Sequence, residues 1–308
     1  MAQSLHARSE APLHPMTVAD LLDGSFRLLR NHARVVFPAA AVFIVPAQLL
    51  SFAANVRSGV PEDFGVGGTA FAGLASTGSG SSVDVAFAVV AMLLGLLSVA
   101  LIGGVACQVV IASHDGHDLS LSGVLRRVRQ KGWALLGGWL LVHLLEASGF
   151  LVFAAPALAA WAGGGDTLAL VLLGIGFVLL VPIGFVVMTL SVAVAPCVVS
   201  EDLGPVTSIR RSWRLMRRRF WPVAGVALLA GLIGSIVAQI LAAVPATIGY
   251  ALGGVGGWVL ITASTIITML ITQPFVAFVA TLQYLDGRIR TEGLDLQIIA
   301  DRLLAEEA

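Results

Sequence analysis

The chain has 308 residues, of which 57% are hydrophobic and only 12% are charged, and its mean hydropathy is +0.93. These values lie far outside the range of soluble globular domains and exclude a water-exposed fold for most of the chain. The formal net charge is zero, but the charges are unevenly distributed along the sequence.

Long uncharged stretches mark the segments that cross the membrane, because a spanning helix needs roughly 20 apolar residues. In chain order they cover residues 35–56, 85–114, 132–165, 167–200 and 220–285. The third stretch is interrupted only by Glu146. The last one contains GYALGGVGG at 249–257, a glycine-rich hinge that divides it into two helices. The sequence therefore predicts an all-α polytopic membrane protein with six transmembrane helices.

Basic residues cluster on one side of these six spans. The clusters comprise Arg27, Arg30 and Arg34, then Arg126, Arg127, Arg129 and Lys131, and then Arg210, Arg211, Arg214, Arg217, Arg218 and Arg219. Cytoplasmic loops carry an excess of Lys and Arg, so we expect both termini in the cytoplasm. Lys131 is the only lysine, and this preference for arginine, with abundant Ala and Gly, is typical of bacteria with GC-rich genomes. We therefore expect a bacterial inner-membrane protein.

The segment SIRRSWRLMRRRFWP at 208–222 has the pattern of a basic amphipathic helix. Val206, Ile209, Trp213, Met216 and Phe220 recur at steps of three and four and share one face, opposite the arginines, whereas Leu215 does not fit. Such a helix next to a span usually lies at the membrane interface with its charges on anionic lipid headgroups. Its aromatic residues would not be free to stack on bases, which argues against a nucleic-acid partner.

The same pattern occurs three times, as SFRLLR at 25–30, LRRVR at 125–129 and SWRLMR at 212–217, each before a pair of spans. This spacing favours three parallel repeats, each an interfacial helix followed by a helical hairpin. The alternative is that these basic segments are unrelated and look alike only because each precedes a span. Within a single membrane domain, 1–308, the predicted units are repeats 17–112, 119–196 and 205–285 and a cytoplasmic amphipathic tail, 286–308.

Glu146 is a carboxylate inside a predicted span, on the same helix face as His143. Ionisable groups at this depth normally face the bundle interior and are functional-site hypotheses. Predicted polar neighbours are Gln239, Gln273, Thr268 and Thr272. The alternative is a structural hydrogen bond between Glu146 and His143. We expect no metal site, because HDGHD at 114–118 has no second ligand cluster to complete it, and we expect no cofactor.

Three segments resemble recurring motifs of a bacterial family, the glycerophosphoryl diester phosphodiesterase membrane domain. They are PMTVADLLDGSFRLLRNHARVV at 15–36, APCVVSEDLGPVTSIRRSWRLMRRRFWPV at 195–223 and YLDGRIRTEGLDLQIIADRL at 284–303. The resemblance implies a membrane module without an established chemical activity, similar to stand-alone actinobacterial envelope proteins. No phosphodiesterase domain accompanies it in this sequence.

Two classes of function fit this sequence. The first is a non-catalytic scaffold or assembly partner that binds anionic lipid headgroups and partner proteins or further copies of itself. The second is a permease or lipid transporter with a polar site at Glu146 and His143. A scaffold predicts a well-packed interior, whereas a carrier predicts a cavity. An enzyme is disfavoured, because no pair of nucleophile and base can be assembled.

Overall fold

A computed structural model of the protein describes residues 15–58, 82–115 and 120–294, and the elements in these ranges are helical. The helices are α1 Val18–Asn31, α2 Ala33–Ser58, α3 Ser82–Asp115, α4 Leu121–Ala162, α5 Asp166–Ser191, α6 Val194–Ser200, α7 Pro205–Met216, α8 Phe220–Leu252 and α9 Gly254–Glu292. A 3₁₀ turn, Arg217–Arg219, joins α7 to α8.

Six helical segments in the described ranges are long and apolar enough to cross a membrane. They contain α2, α3, α4, α5 with α6, α7 with α8, and α9. The prediction of an all-helical protein with six candidate spans is therefore confirmed. Most of the predicted loop before α3 (residues 59–81) and most of the predicted tail (295–308) lie outside the described residues.

The predicted glycine hinge lies between α8 and α9. Gly253 has φ +62° and Gly254 has φ +57°, a conformation that L side chains rarely adopt. The two helices then cross so closely that a Cβ on Gly257 would lie 2.2 Å from the carbonyl oxygen of Gly249. Glycine is therefore required both for the turn and for the crossing.

Three helical hairpins, α2/α3, α4/α5 and α8/α9, form the bundle, and α9 lies at its centre in contact with α1, α2, α3, α7 and α8. The main core lies where α1, α3, α4 and α9 meet, around Leu28, Val109, Leu135, Phe278 and Leu282. One end of the bundle holds α1, α7, the start of α4 and the end of α9. We call it the basic end.

Helix α1 begins with a capping box. The backbone N–H of Asp20 donates to Thr17 Oγ1 at 3.3 Å, and the backbone N–H of Thr17 donates to Asp20 Oδ2 at 2.8 Å. Leu21, Leu28 and Leu29 are buried on its inner face, whereas Arg27 is exposed. The helix therefore packs on the bundle and leaves its basic side exposed.

Helix α7 is rotated relative to the apolar face that the sequence predicts. Its buried residues are Ser208, Ser212, Leu215 and Met216. Leu215, the residue that did not fit the pattern, is only 4% exposed, while Val206 is 53% exposed. The small serines allow close approach, and Ser212 Oγ donates to the Leu190 carbonyl oxygen at 2.6 Å. Contacts with α4, α5, α6 and α9 thus decide which face of α7 is buried.

The separate interfacial helix expected at the start of the second repeat is continuous with the span that follows. Helix α4 runs without a break over 42 residues, from Leu121 to Ala162. At 1.5 Å per residue it is about 63 Å long, well beyond the roughly 30 Å of a bilayer core. Its first turns, which carry Arg126 and Arg129, therefore project beyond the apolar layer. The threefold repeat stays a prediction.

Candidate functional site: an intramembrane cavity

A cavity of about 590 Å³ lies between the α4/α5 and α8/α9 hairpins, and residues of α3 also line it. Its walls are largely apolar. The polar residues among those that line it are His143, Ser191, Ser235, Thr272, Gln273, Thr281 and Gln283. No Asp, Glu, Lys or Arg is among the lining residues in the described part of the chain.

Small side chains on α8 create much of this space. The lining residues of α8 are Ala227, Ala230, Gly231, Gly234, Ser235 and Ala238, which recur at steps of three and four. Such a stripe usually lets two membrane helices pack closely. Here it faces the cavity, and both Gly231 and Ser235 are exposed.

Two glutamines of α9 present unpartnered amide atoms at the cavity. Gln283 is only 4% exposed, and neither its Nε2 nor its Oε1 has a hydrogen-bond partner. Gln273 also has an unpartnered buried Oε1. A buried polar group left without a partner costs on the order of 1–3 kcal/mol. These amides are therefore suited to a ligand or to water inside the cavity.

The two amides lie at different depths along α9. Gln283 is one turn from Asp286, which is paired with arginines at the basic end. Gln273 precedes Gln283 by ten residues, which places it about 15 Å farther from the basic end along the helix axis. The cavity therefore extends from near the basic end toward the middle of the membrane.

The predicted polar site is only partly assembled by the structure. His143 lines the cavity with Thr272 and Gln273. Its Nδ1 lies 3.0 Å from the Trp139 carbonyl oxygen, and the two rings stack at a centroid distance of 3.6 Å. Glu146, by contrast, is exposed and does not line the cavity.

The other two predicted neighbours, Gln239 and Thr268, do not line the cavity. Gln239 is exposed and outside the cavity, whereas Thr268 is buried with an unpartnered Oγ1. Gln283 was not among the predicted site residues. A sequence signal for it exists, since it is an amide between Leu282 and Tyr284 near the end of an apolar span.

Comparison with known protein families gives a match over residues 16–285, which covers all six candidate spans except the last residues of α9. The matching family is described as a domain of unknown function, DUF7847. The chain belongs to this DUF7847 family. No curated protein and no solved structure matches the chain. The resemblance to the glycerophosphoryl diester phosphodiesterase membrane domain stays a prediction.

At the basic end of this DUF7847 protein, Asp286 joins three parts of the chain. Its side chain is 7% exposed and accepts from Arg219 Nη1 at 2.5 Å and from Arg290 Nε at 2.8 Å. It also accepts from the backbone N–H of Met16 at 2.8 Å, and Arg290 donates to the Met16 carbonyl oxygen. The start of α1 and the turn before α8 are thereby fixed to α9.

A second ionic cluster joins α7 to α9 and to the end of α6. Arg211 pairs with Glu201 at 2.7 Å and with both carboxylate oxygens of Glu292. Tyr284 donates its hydroxyl to Glu201 at 2.7 Å, and its oxygen lies 2.7 Å from Ser200 Oγ. These contacts form a second polar cluster at the basic end.

The predicted headgroup-binding residues fall into two groups. Arg27, Arg30, Arg34, Arg126, Arg127, Arg129, Arg210, Arg214, Arg217 and Arg218 are exposed. Lys131, Arg211 and Arg219 are half-buried and paired with Asp202, with Glu201 and Glu292, and with Asp286, respectively.

The cysteines and the HDGHD segment are the remaining residues that could carry thiol or metal chemistry. Cys107 and Cys197 are both buried and free. Of the HDGHD segment, residues 116–118 lie outside the described residues. Within the described ranges, no group of three metal-ligating side chains comes together.

Proposed function

We propose that this DUF7847 protein is a non-catalytic integral membrane protein that takes up a single lipid-like molecule from the bilayer. The observation that supports the proposal is the cavity of about 590 Å³, with apolar walls and unpartnered buried amides. Ligand sites typically enclose about 300–1,000 Å³ and combine apolar walls with a few polar groups that orient the ligand. The cavity has this composition.

In our proposal the ligand reaches the cavity from the side, through the lipid-facing surface. Val99 on α3 and Val276 on α9 both line the cavity and are 44% and 37% exposed, respectively. Each lies 16 residues from the end of its helix at the basic end, Asp115 and Glu292, which is about 24 Å along the axis. An opening at that depth faces lipid tails, so the ligand enters from the membrane.

The exposed arginines give the protein a basic surface on one side of the bundle. In our proposal they bind anionic headgroups of a bacterial inner membrane and keep both termini in the cytoplasm. Each exposed arginine contributes on the order of 1 kcal/mol of surface attraction. The three predicted repeats would each add one basic segment to this surface.

A scaffold, the other class of function that the sequence allows, predicts a filled interior. The cavity and the lipid-facing position of its opening favour lipid handling, with the basic surface as the anchor. Glu146 is not part of this site, because its side chain lies outside the cavity.

Native mass spectrometry of protein extracted from its own membranes tests the proposal. Gly231 lines the cavity, and a Cβ added there meets no atom within 4 Å, so Gly231→Leu directs a large side chain into the space from an open position. Gly225→Leu is the matched control, because Gly225 is an exposed glycine on the same helix, equally open and outside the cavity.

We expect one retained lipid in the wild type and in Gly225→Leu, and loss of that lipid in Gly231→Leu. The same lipid occupancy in Gly231→Leu as in the wild type, or a wild type without lipid, contradicts the proposal.

A further inference from the structure

We infer that Gln283 selects the ligand, and that the ligand is an electrically neutral lipid whose head both donates and accepts a hydrogen bond. A diacylglycerol, with a free hydroxyl and no charge, represents this class. The inference rests on the proposed function, since it concerns the polar end of the same cavity.

The hydrogen-bonding requirement follows from the amide itself. Neither Nε2 nor Oε1 of Gln283 has a hydrogen-bond partner. Whichever way the amide is turned, a ligand must supply an acceptor for the nitrogen and a donor for the oxygen. A hydroxyl satisfies both atoms. An ester carbonyl or an ionised phosphate offers acceptors only, and would leave Oε1 buried without a donor.

The charge requirement follows from the surroundings of Gln283. No charged side chain lines the cavity in the described part of the chain. A small pocket of about 50 Å³ on the other side of Gln283 is lined by Arg219, but that guanidinium is paired with Asp286 at 2.5 Å. A phosphate brought here would be buried without a free cation, which is costly.

The orientation of such a lipid agrees with the shape of the cavity. Gln283 lies one turn from Asp286 and its two arginines, so a lipid head bound to Gln283 lies beside the charged groups of the basic end. The cavity then continues about 15 Å along α9 toward Gln273. Head and chain therefore point as they do in a membrane leaflet, and the rest of the chains can leave through the lateral opening.

A binding experiment with three probes tests the inference. Full-length protein in phosphatidylcholine nanodiscs is titrated with fluorescently labelled dioleoylglycerol, with its 3-acetyl ester, which lacks the hydroxyl donor, and with dioleoyl phosphatidic acid. The variants are Gln283→Leu and, as a control, Gln239→Leu, which changes an exposed glutamine outside the cavity.

We expect the wild type and Gln239→Leu to bind dioleoylglycerol about tenfold more tightly than either other probe, the ratio expected for one or two buried hydrogen bonds. Gln283→Leu should bind dioleoylglycerol and its acetyl ester equally. If the wild type binds all three probes equally, or prefers phosphatidic acid, the inference is wrong while lipid uptake stands. If the wild type binds none of them and retains no lipid from its own membranes, the proposed function is wrong as well.

Discussion

The carboxylate of Asp286 accepts a hydrogen bond from the backbone N–H of Met16 at 2.8 Å, across 270 positions of the sequence. The same carboxylate binds Arg219 and Arg290, so a single buried acid holds α1, the turn before α8 and α9 together. Gln283 lies one turn away on α9. The end of the cavity at the basic end is therefore adjacent to this contact.

Asp286→Asn should destabilise the protein. The substitution keeps the shape of the side chain but leaves two arginines without a counter-charge, and we expect a loss of about 2–3 kcal/mol. This is below the cost of breaking a fully buried pair, because both arginines are about a third exposed. Thermal unfolding in detergent measures the effect.

Asp23→Asn is the control for Asp286→Asn. Asp23 forms an exposed pair with Arg27 at 3.3 Å, which is worth less than about 1 kcal/mol. Equal melting temperatures for the two variants would contradict the role given to Asp286.

Gln283→Leu should stabilise the ligand-free protein. It replaces a buried amide without partners by an apolar side chain of similar size, and we expect a gain of about 1 kcal/mol. Delipidated protein in a detergent is compared by thermal unfolding with Gln239→Leu, which should match the wild type. A lower melting temperature for Gln283→Leu would show that the amide has a structural partner.

Gly257→Ala should destabilise the α8/α9 hairpin. The new Cβ would lie 2.2 Å from the Gly249 carbonyl oxygen, so the two backbones must move apart, at a cost of roughly 1–3 kcal/mol or more. Gly256→Ala is the neighbouring control, with no atom within 4 Å of its Cβ. Thermal unfolding should separate the two alanine variants, and equal stability would mean that the helices do not cross at these glycines.

Replacing Arg214 and Arg218 by glutamine should reduce the enrichment of anionic lipids around the protein. Both side chains are exposed on the basic surface, and each contributes on the order of 1 kcal/mol of attraction, which salt screens. Quantification of lipids bound in mixed nanodiscs at low and high salt measures this. The double lysine variant keeps the charge and should behave as the wild type; if it instead behaves as the glutamine variant, charge is not the cause.

The helical spans could be predicted from the sequence because the physics is local to each segment. Absence of charge over 20 or more residues defines a span, and glycine at 253 and 254 ends one and starts the next. The start of α4 was harder to predict. No residue breaks the helix between its basic turns and its apolar turns, so the basic segment and the span form one continuous helix.

The cavity depends on how the hairpins pack, which single segments do not encode. A stripe of small residues such as 227–238 on α8 predicts either a close helix contact or a space, and only the position of the α4/α5 hairpin decides between them. The rotation of α4 likewise turns His143 toward the cavity and Glu146 away from it. Leu215 is buried because the serines of α7 allow a close approach on that side.

The most direct test of lipid uptake is a cryo-electron microscopy map of the protein in nanodiscs made from its native lipids, with a bound antibody fragment to aid alignment. We predict elongated density in the cavity between α4 and α8, with its polar end within hydrogen-bonding distance of Gln283. A map in which α4 packs directly against the small residues of α8, leaving no room for a ligand, would contradict the proposed function.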